Sequence, residues 1–141
     1  MQTATVRWTH GEQFDAVTPS GHQLLLDSDR ESNKGPGPME LLLAALGSCT
    51  ATDIVIILAK KRQKLESLEV SVSGERAQDP PRVWTKLDVL FRVRGRNADG
   101  GPIDEKAVAD AIRLSDEKYC SVAAMLRKTA ALSMRYEILS A

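Results

Sequence analysis

The chain has 141 residues, 43% apolar and 27% charged, and its nineteen basic and nineteen acidic side chains cancel. That composition fits one soluble globular domain over residues 1–141, and without net charge or a basic patch interleaved with aromatics it argues against a nucleic-acid or membrane-surface partner. The amino terminus lacks the apolar core of a secretory signal, and Ser48 to Asp53 interrupt the apolar stretch short of the ~20 residues of a membrane span, so a cytoplasmic protein is expected.

Residues 3–9 and 13–18 read as strands joined by a turn at His10-Gly11-Glu12. Pro19-Ser20-Gly21 makes a second turn and Gln23 to Asp27 a third strand, giving an antiparallel meander. Ser28 to Gly37 shows no periodicity and is expected as a loop, carrying Arg30 and Lys34, that delivers the chain to a long helix.

That helix is expected from about Pro38 to the Lys60-Lys61-Arg62 cluster, because proline can open a helix and basic residues suit its C-terminal pole. At ~1.5 Å per residue it would be ~37 Å long, and its runs from Leu41 to Leu46 and Ile54 to Ala59 are apolar all round, so most of it should be buried. A chain this short supplies limited cover, which hints at a dimer. Cys49 lies near the midpoint among Gly47, Ser48, Thr50 and Ala51, whose small size lets a second backbone or a ligand approach the sulfur. Thr52 and Asp53 follow on the same helix face. A free cysteine in such a setting is, on its own, most often a small buried hydrophobe.

After the helix, Leu68, Val70 and Val72 alternate in a half-buried strand, Asp79-Pro80-Pro81 turns the chain, and Val83 to Val93 forms another antiparallel strand. Gly95 to Pro102 reads as a loop. A helix over 104–114 has an acidic start and a stripe at Val108, Ala111 and Ile112. A second, over 120–129, carries Val122, Met125 and Leu126, and Met134, Tyr136 and Ile138 alternate in a closing strand. Cys120 stands at the start of the 120–129 helix, where free backbone N–H groups are expected to favour its thiolate and lower its pKa. Two cysteines in a reducing compartment point to a transient bond, if any. His10 and His22 sit in or beside turns without metal-ligand spacing, so neither a metal nor another cofactor is expected.

The helix motif Pro38-Met-Glu-Leu-Leu-Leu-Ala-Ala-Leu-Gly-Ser-Cys49, followed by Ser115-Asp-Glu-Lys-Tyr-Cys120-Ser-Val, resembles the osmotically inducible protein C and organic hydroperoxide resistance family (OsmC/Ohr) over nearly the whole chain. The resemblance implies an α+β fold, with antiparallel sheets wrapped around a long central helix, in an intertwined homodimer with active sites at the interface. It implies a thiol-dependent peroxidase acting on organic hydroperoxides in oxidative stress defence. Cys49 would be the peroxidatic thiol and Cys120 the resolving one, recycled by a dithiol reductant. The substrate would sit in an apolar pocket at the dimer interface, lined by Leu42, Leu46 and Met125, residues that serve equally well in the core.

The resemblance also implies a cation beside the thiolate. In the osmotically inducible branch this arginine comes from the loop before the helix, where Arg30 stands; in the other branch it comes from the first hairpin turn, which here holds Gly11-Glu12. The family glutamate that orients the arginine is replaced by Met39, and Glu40, the next residue, falls on the far side of the helix from Cys49. This departure points to a divergent branch. It leaves open a non-catalytic small-molecule-binding or thiol-sensing stress protein on the same fold.

Overall fold

The computed structural model describes residues 1–140, which divide into two compact units, one up to Leu42 and one from Leu43 onward.

In the first unit, β1 (Thr5–His10), β2 (Gln13–Val17) and β3 (Gln23–Asp27) form an antiparallel sheet in chain order, as the meander predicts. The loop that follows is organised by Asp27. Its carboxylate accepts the Ser32 hydroxyl and the N–H groups of Asp29 at 2.9 Å and Lys34 at 3.0 Å. The Ser32 bond first, then the Lys34 N–H, hold its pKa below the ordinary carboxylate value against the opposing effect of burial. A segment without periodicity is therefore ordered by side-chain-to-backbone bonds.

Helix α1 runs from Pro38 to Lys60, the bounds expected from the proline and the basic cluster. It ends in a Schellman motif: Arg62, at φ 59°, donates its N–H to the carbonyl of Ala59, and Gln63 donates to that of Leu58.

In the second unit, β4 (Lys64–Arg76), β5 (Trp84–Arg96) and β6 (Ala131–Ile138) form a sheet in that order. β4 and β5 are antiparallel, but β6 runs parallel to β5, a departure from the antiparallel expectation at this one pairing. The reason is the connection: residues 97–130, with two helices, cross over so that β6 re-enters in the direction of β5. Leu87, Val89, Phe91 and Val93 point from the central strand into the core. There they cluster with Leu46, Ile54 and Leu58 of α1, and with Ala107, Val108, Ala111 and Ile112 of α2 (Glu105–Leu114). The opposite face is polar, with Arg92 reaching Glu69 on one neighbouring strand at 2.9 Å and Glu137 on the other at 3.4 Å. Asp104 caps α2 by accepting the Lys106 N–H at 3.0 Å, as its acidic start implies.

Two expectations need correction. α1 is not mostly buried within one chain. Leu46, Gly47, Thr50, Ile54 and Leu58 form one covered stripe, whereas Val55 and Ile56 each remain 48% exposed. As a continuous helix it is also, by length and composition alone, able to cross a bilayer, with a mean hydropathy of 2.1 over its most apolar window; Ser48 to Asp53 do not interrupt it. The last helix, α3, spans only Ser121–Leu126, and its buried residue is Ala123, while Met125 is 72% exposed.

Candidate thiol site

Cys49 lies halfway along α1, half-buried, and both cysteines are free thiols. The small residues around it serve the close approach that their size suggests. A Cβ on Gly47 would stand 3.3 Å from Val72 Cγ2, so the side chains of β4 lie directly against this turn of the helix. The neighbouring hydroxyls are occupied within the helix: Thr50 donates to the carbonyls of Leu46 and Gly47 at 3.0 Å, and Thr52 to that of Ser48 at 2.8 Å. Neither is free to assist chemistry at sulfur.

Cys120 reaches the site by an unusual route. After α2 the chain makes a π-helical turn over Ser115–Tyr119, closed by the Cys120 N–H donating to the Ser115 carbonyl at 3.0 Å. Cys120 itself is extended and caps α3, its sulfur accepting the Ala123 N–H at 3.3 Å. It is almost completely buried.

Each thiol acts on the ionisation of the other, and the two are driven apart. Burial alone pushes the Cys49 thiol up. Hydrogen bonds from Cys120, the Val122 N–H and Ser121 outweigh it and bring Cys49 below the ordinary thiol value. Burial also pushes Cys120 up, and there the bond to Cys49 adds to the effect, so Cys120 is held well above that value. This corrects the expectation for Cys120. The N–H groups at the start of α3 do favour a thiolate, that of Ala123 at Cys120 and that of Val122 at Cys49, but at Cys120 burial and the bond to Cys49 outweigh it.

Asp53, one turn beyond Cys49, accepts the hydroxyl of the fully buried Ser115 at 2.8 Å, and its charge opposes ionisation of both thiols. Beside it opens a cavity of about 380 Å³ lined by Ile56, Ile57, Leu114, Tyr119, Lys60 and Lys61. Of the residues expected to line a pocket or the core, Leu46 is fully buried in the core and Met125 is exposed in the single chain.

Arg30 is held within its own loop. One terminal nitrogen donates to Asn33 Oδ1 and Glu40 Oε1, each at 3.1 Å, and the other to the carbonyls of Asp27 and Gly35. Glu40, expected on the far side of the helix from Cys49, is the carboxylate partner of Arg30, one position along from Met39. Ser115, Ser121 and Val122 were not marked by the sequence as site residues; the signal available was their closeness to Cys120 in the chain.

The model of the OsmC-like protein family matches residues 31–135. The chain belongs to this family. Protein YhfA of Escherichia coli K12 is 42% identical over 138 residues, covering 98% of each chain. Among solved structures, an OsmC-like protein from Mycoplasma pneumoniae superposes with a TM-score of 0.83 at 16% identity, over 99% of this chain and 97% of that one. The organic hydroperoxide resistance protein OhrB of Bacillus subtilis does so with a TM-score of 0.65 at 14% identity, over 97% and 98%. At these identities the two structures establish the OsmC-like α+β fold. Both cysteine segments of the present chain fall within the matched residues.

Proposed function

We propose that this OsmC-like protein is a thiol-dependent peroxidase that reduces organic hydroperoxides in oxidative stress defence, with Cys49 as the attacking thiol and Cys120 as the resolving one. The observation that carries this reading is the juxtaposition of two free thiols whose acidities are driven apart, Cys49 lowered below the ordinary thiol value by Cys120, the Val122 N–H and Ser121, and Cys120 raised first by burial. The Cys49 thiolate attacks the outer peroxide oxygen; the O–O bond breaks, and an alcohol leaves after taking up a proton, giving Cys49 sulfenic acid. The Cys120 sulfur then displaces hydroxide from the sulfenic acid, forming the disulfide and water. A dithiol reductant restores both thiols and is itself oxidised to a disulfide.

The apolar walls of the cavity beside Asp53 suit the organic part of the peroxide. Arg30, with Glu40 as its carboxylate, is assigned by family likeness as the cation that steadies the charge developing on the peroxide oxygen. The whole chain acts as one OsmC-like domain in a cytoplasmic homodimer, a reading supported by the likeness to YhfA over 98% of the chain and by the uncovered apolar face of α1.

One observation favours a thiol-sensing alternative: both terminal nitrogens of Arg30 already bridge two acceptors each, which ties the guanidinium to its loop. Multiple turnover separates the two readings. With dithiothreitol in excess, consumption of cumene hydroperoxide should be fast in the parent, absent in Cys49→Ser and strongly reduced in Arg30→Ala. A parent no faster than Cys49→Ser rejects the peroxidase.

A further inference from the structure

Four links close a ring around the thiol pair. Cys49 and Asp53 are four residues apart on one helix face; Asp53 Oδ2 accepts from Ser115 Oγ at 2.8 Å. The Ser115 carbonyl accepts the Cys120 N–H at 3.0 Å, and the Cys120 thiol returns to Cys49. Building on the redox-pair reading above, we propose that Asp53 is a positioning residue: through Ser115 it fastens α1, one turn beyond Cys49, to the π turn that delivers Cys120, holding the two sulfurs in register for disulfide formation.

Three features support a dedicated clasp. Ser115 is fully buried, so no solvent molecule replaces its hydroxyl if it is lost. The π-type bond joins Cys120 directly to Ser115, so whatever fixes Ser115 also fixes the backbone of Cys120. A carboxylate beside two thiols is also a choice with a consequence, since it opposes a second negative charge in the reduced pair while Cys49 is compensated by bonds from Cys120, Ser121 and Val122. The other titratable groups around it are Lys60, Lys61 and Tyr119 on the cavity wall.

The test needs no peroxide. The full chain is equilibrated with reduced and oxidised glutathione, where two protein thiols become a disulfide as oxidised glutathione becomes two reduced molecules, and the disulfide fraction is measured. In parallel, Cys49 alkylation by iodoacetamide is followed against pH.

Ser115→Ala and Asp53→Ala should each lower the oxidation constant about tenfold, equivalent to ~30 mV for a two-electron couple. Asp53→Asn, whose amide oxygen still accepts from Ser115, should stay within about twofold of the parent yet move the Cys49 alkylation midpoint to lower pH, because the repelling charge is gone. A folded Ser115→Ala with the parent's constant overturns the proposal, as does an unmoved midpoint in Asp53→Asn. Should Ser115→Ala fail to fold, equal constants in Asp53→Ala and Asp53→Asn overturn it. A chain that fails with cumene hydroperoxide but shows these glutathione shifts loses the peroxidase reading and keeps the clasp; turnover with unmoved constants does the reverse.

Discussion

Cys49 and Cys120 share one environment and leave it with opposite acidities, and the difference lies in who donates to whom. Cys49 is favoured as thiolate by Cys120, Ser121 and the Val122 N–H, whereas Cys120, almost completely buried, acts as the donor and keeps its proton. Iodoacetamide labelling of the reduced protein should therefore modify Cys49 with a midpoint below the ordinary thiol value of 9.0, and Cys120 only at far more alkaline pH. A shared midpoint for the two would contradict this arrangement. The sequence marked both thiols, and the helix-start rule rightly gave Cys120 an N–H group, that of Ala123. The rule missed that burial outweighs the Ala123 bond at Cys120, and that the Val122 N–H acts on Cys49, 73 residues away in sequence. No periodicity encodes that contact. Glu40 was similarly hidden: the helix-wheel angle to Cys49 was sound reasoning about the wrong partner, because the loop folds Arg30 back onto Glu40.

Among the elements, α1 was legible at both ends, from Pro38 and from the basic cluster, because proline and helix-end charges act locally. The parallel pairing of β6 with β5 was not, since strand direction is set by the crossover between them rather than by the strand's own alternation. The 28–37 loop lies between these cases. Its lack of periodicity was visible, while its organisation around Asp27 depends on three donors that a sequence does not rank.

The loop carries a pH prediction. The folded-state pKa of Asp27 is lowered from the ordinary 3.8, first by the Ser32 bond, so its contribution to stability is fully present above that value and is lost as pH falls through the lower folded value. The urea midpoint of the parent should fall in that acid window. In Asp27→Asn the midpoint should be lower at neutral pH and should lose this part of the acid decline. Parallel acid profiles for the two proteins would refute the assignment.

For the molecule as a whole, the uncovered face of α1 is the feature a single chain leaves unexplained. Val55 and Ile56 are each about half exposed, on a helix whose other stripe is fully buried. Covering the exposed half of each is worth roughly 0.7–1.5 kcal/mol, half the value of full burial, which favours a second copy over solvent. Under the proposed homodimer, sedimentation equilibrium should give a dimer for the parent and monomer for Val55→Asp/Ile56→Asp, with a lower unfolding temperature in the variant. A monomeric parent at micromolar concentration would contradict the dimer.

The most direct measurement is a single turnover: the reduced protein is mixed with one equivalent of cumene hydroperoxide and free thiols are counted over seconds, with Cys49→Ser and Cys120→Ser alongside. Rapid loss of both thiols in the parent, none in Cys49→Ser, and a sulfenic acid trapped by dimedone in Cys120→Ser is the expected result. Unchanged thiols in the parent would contradict peroxide chemistry at Cys49.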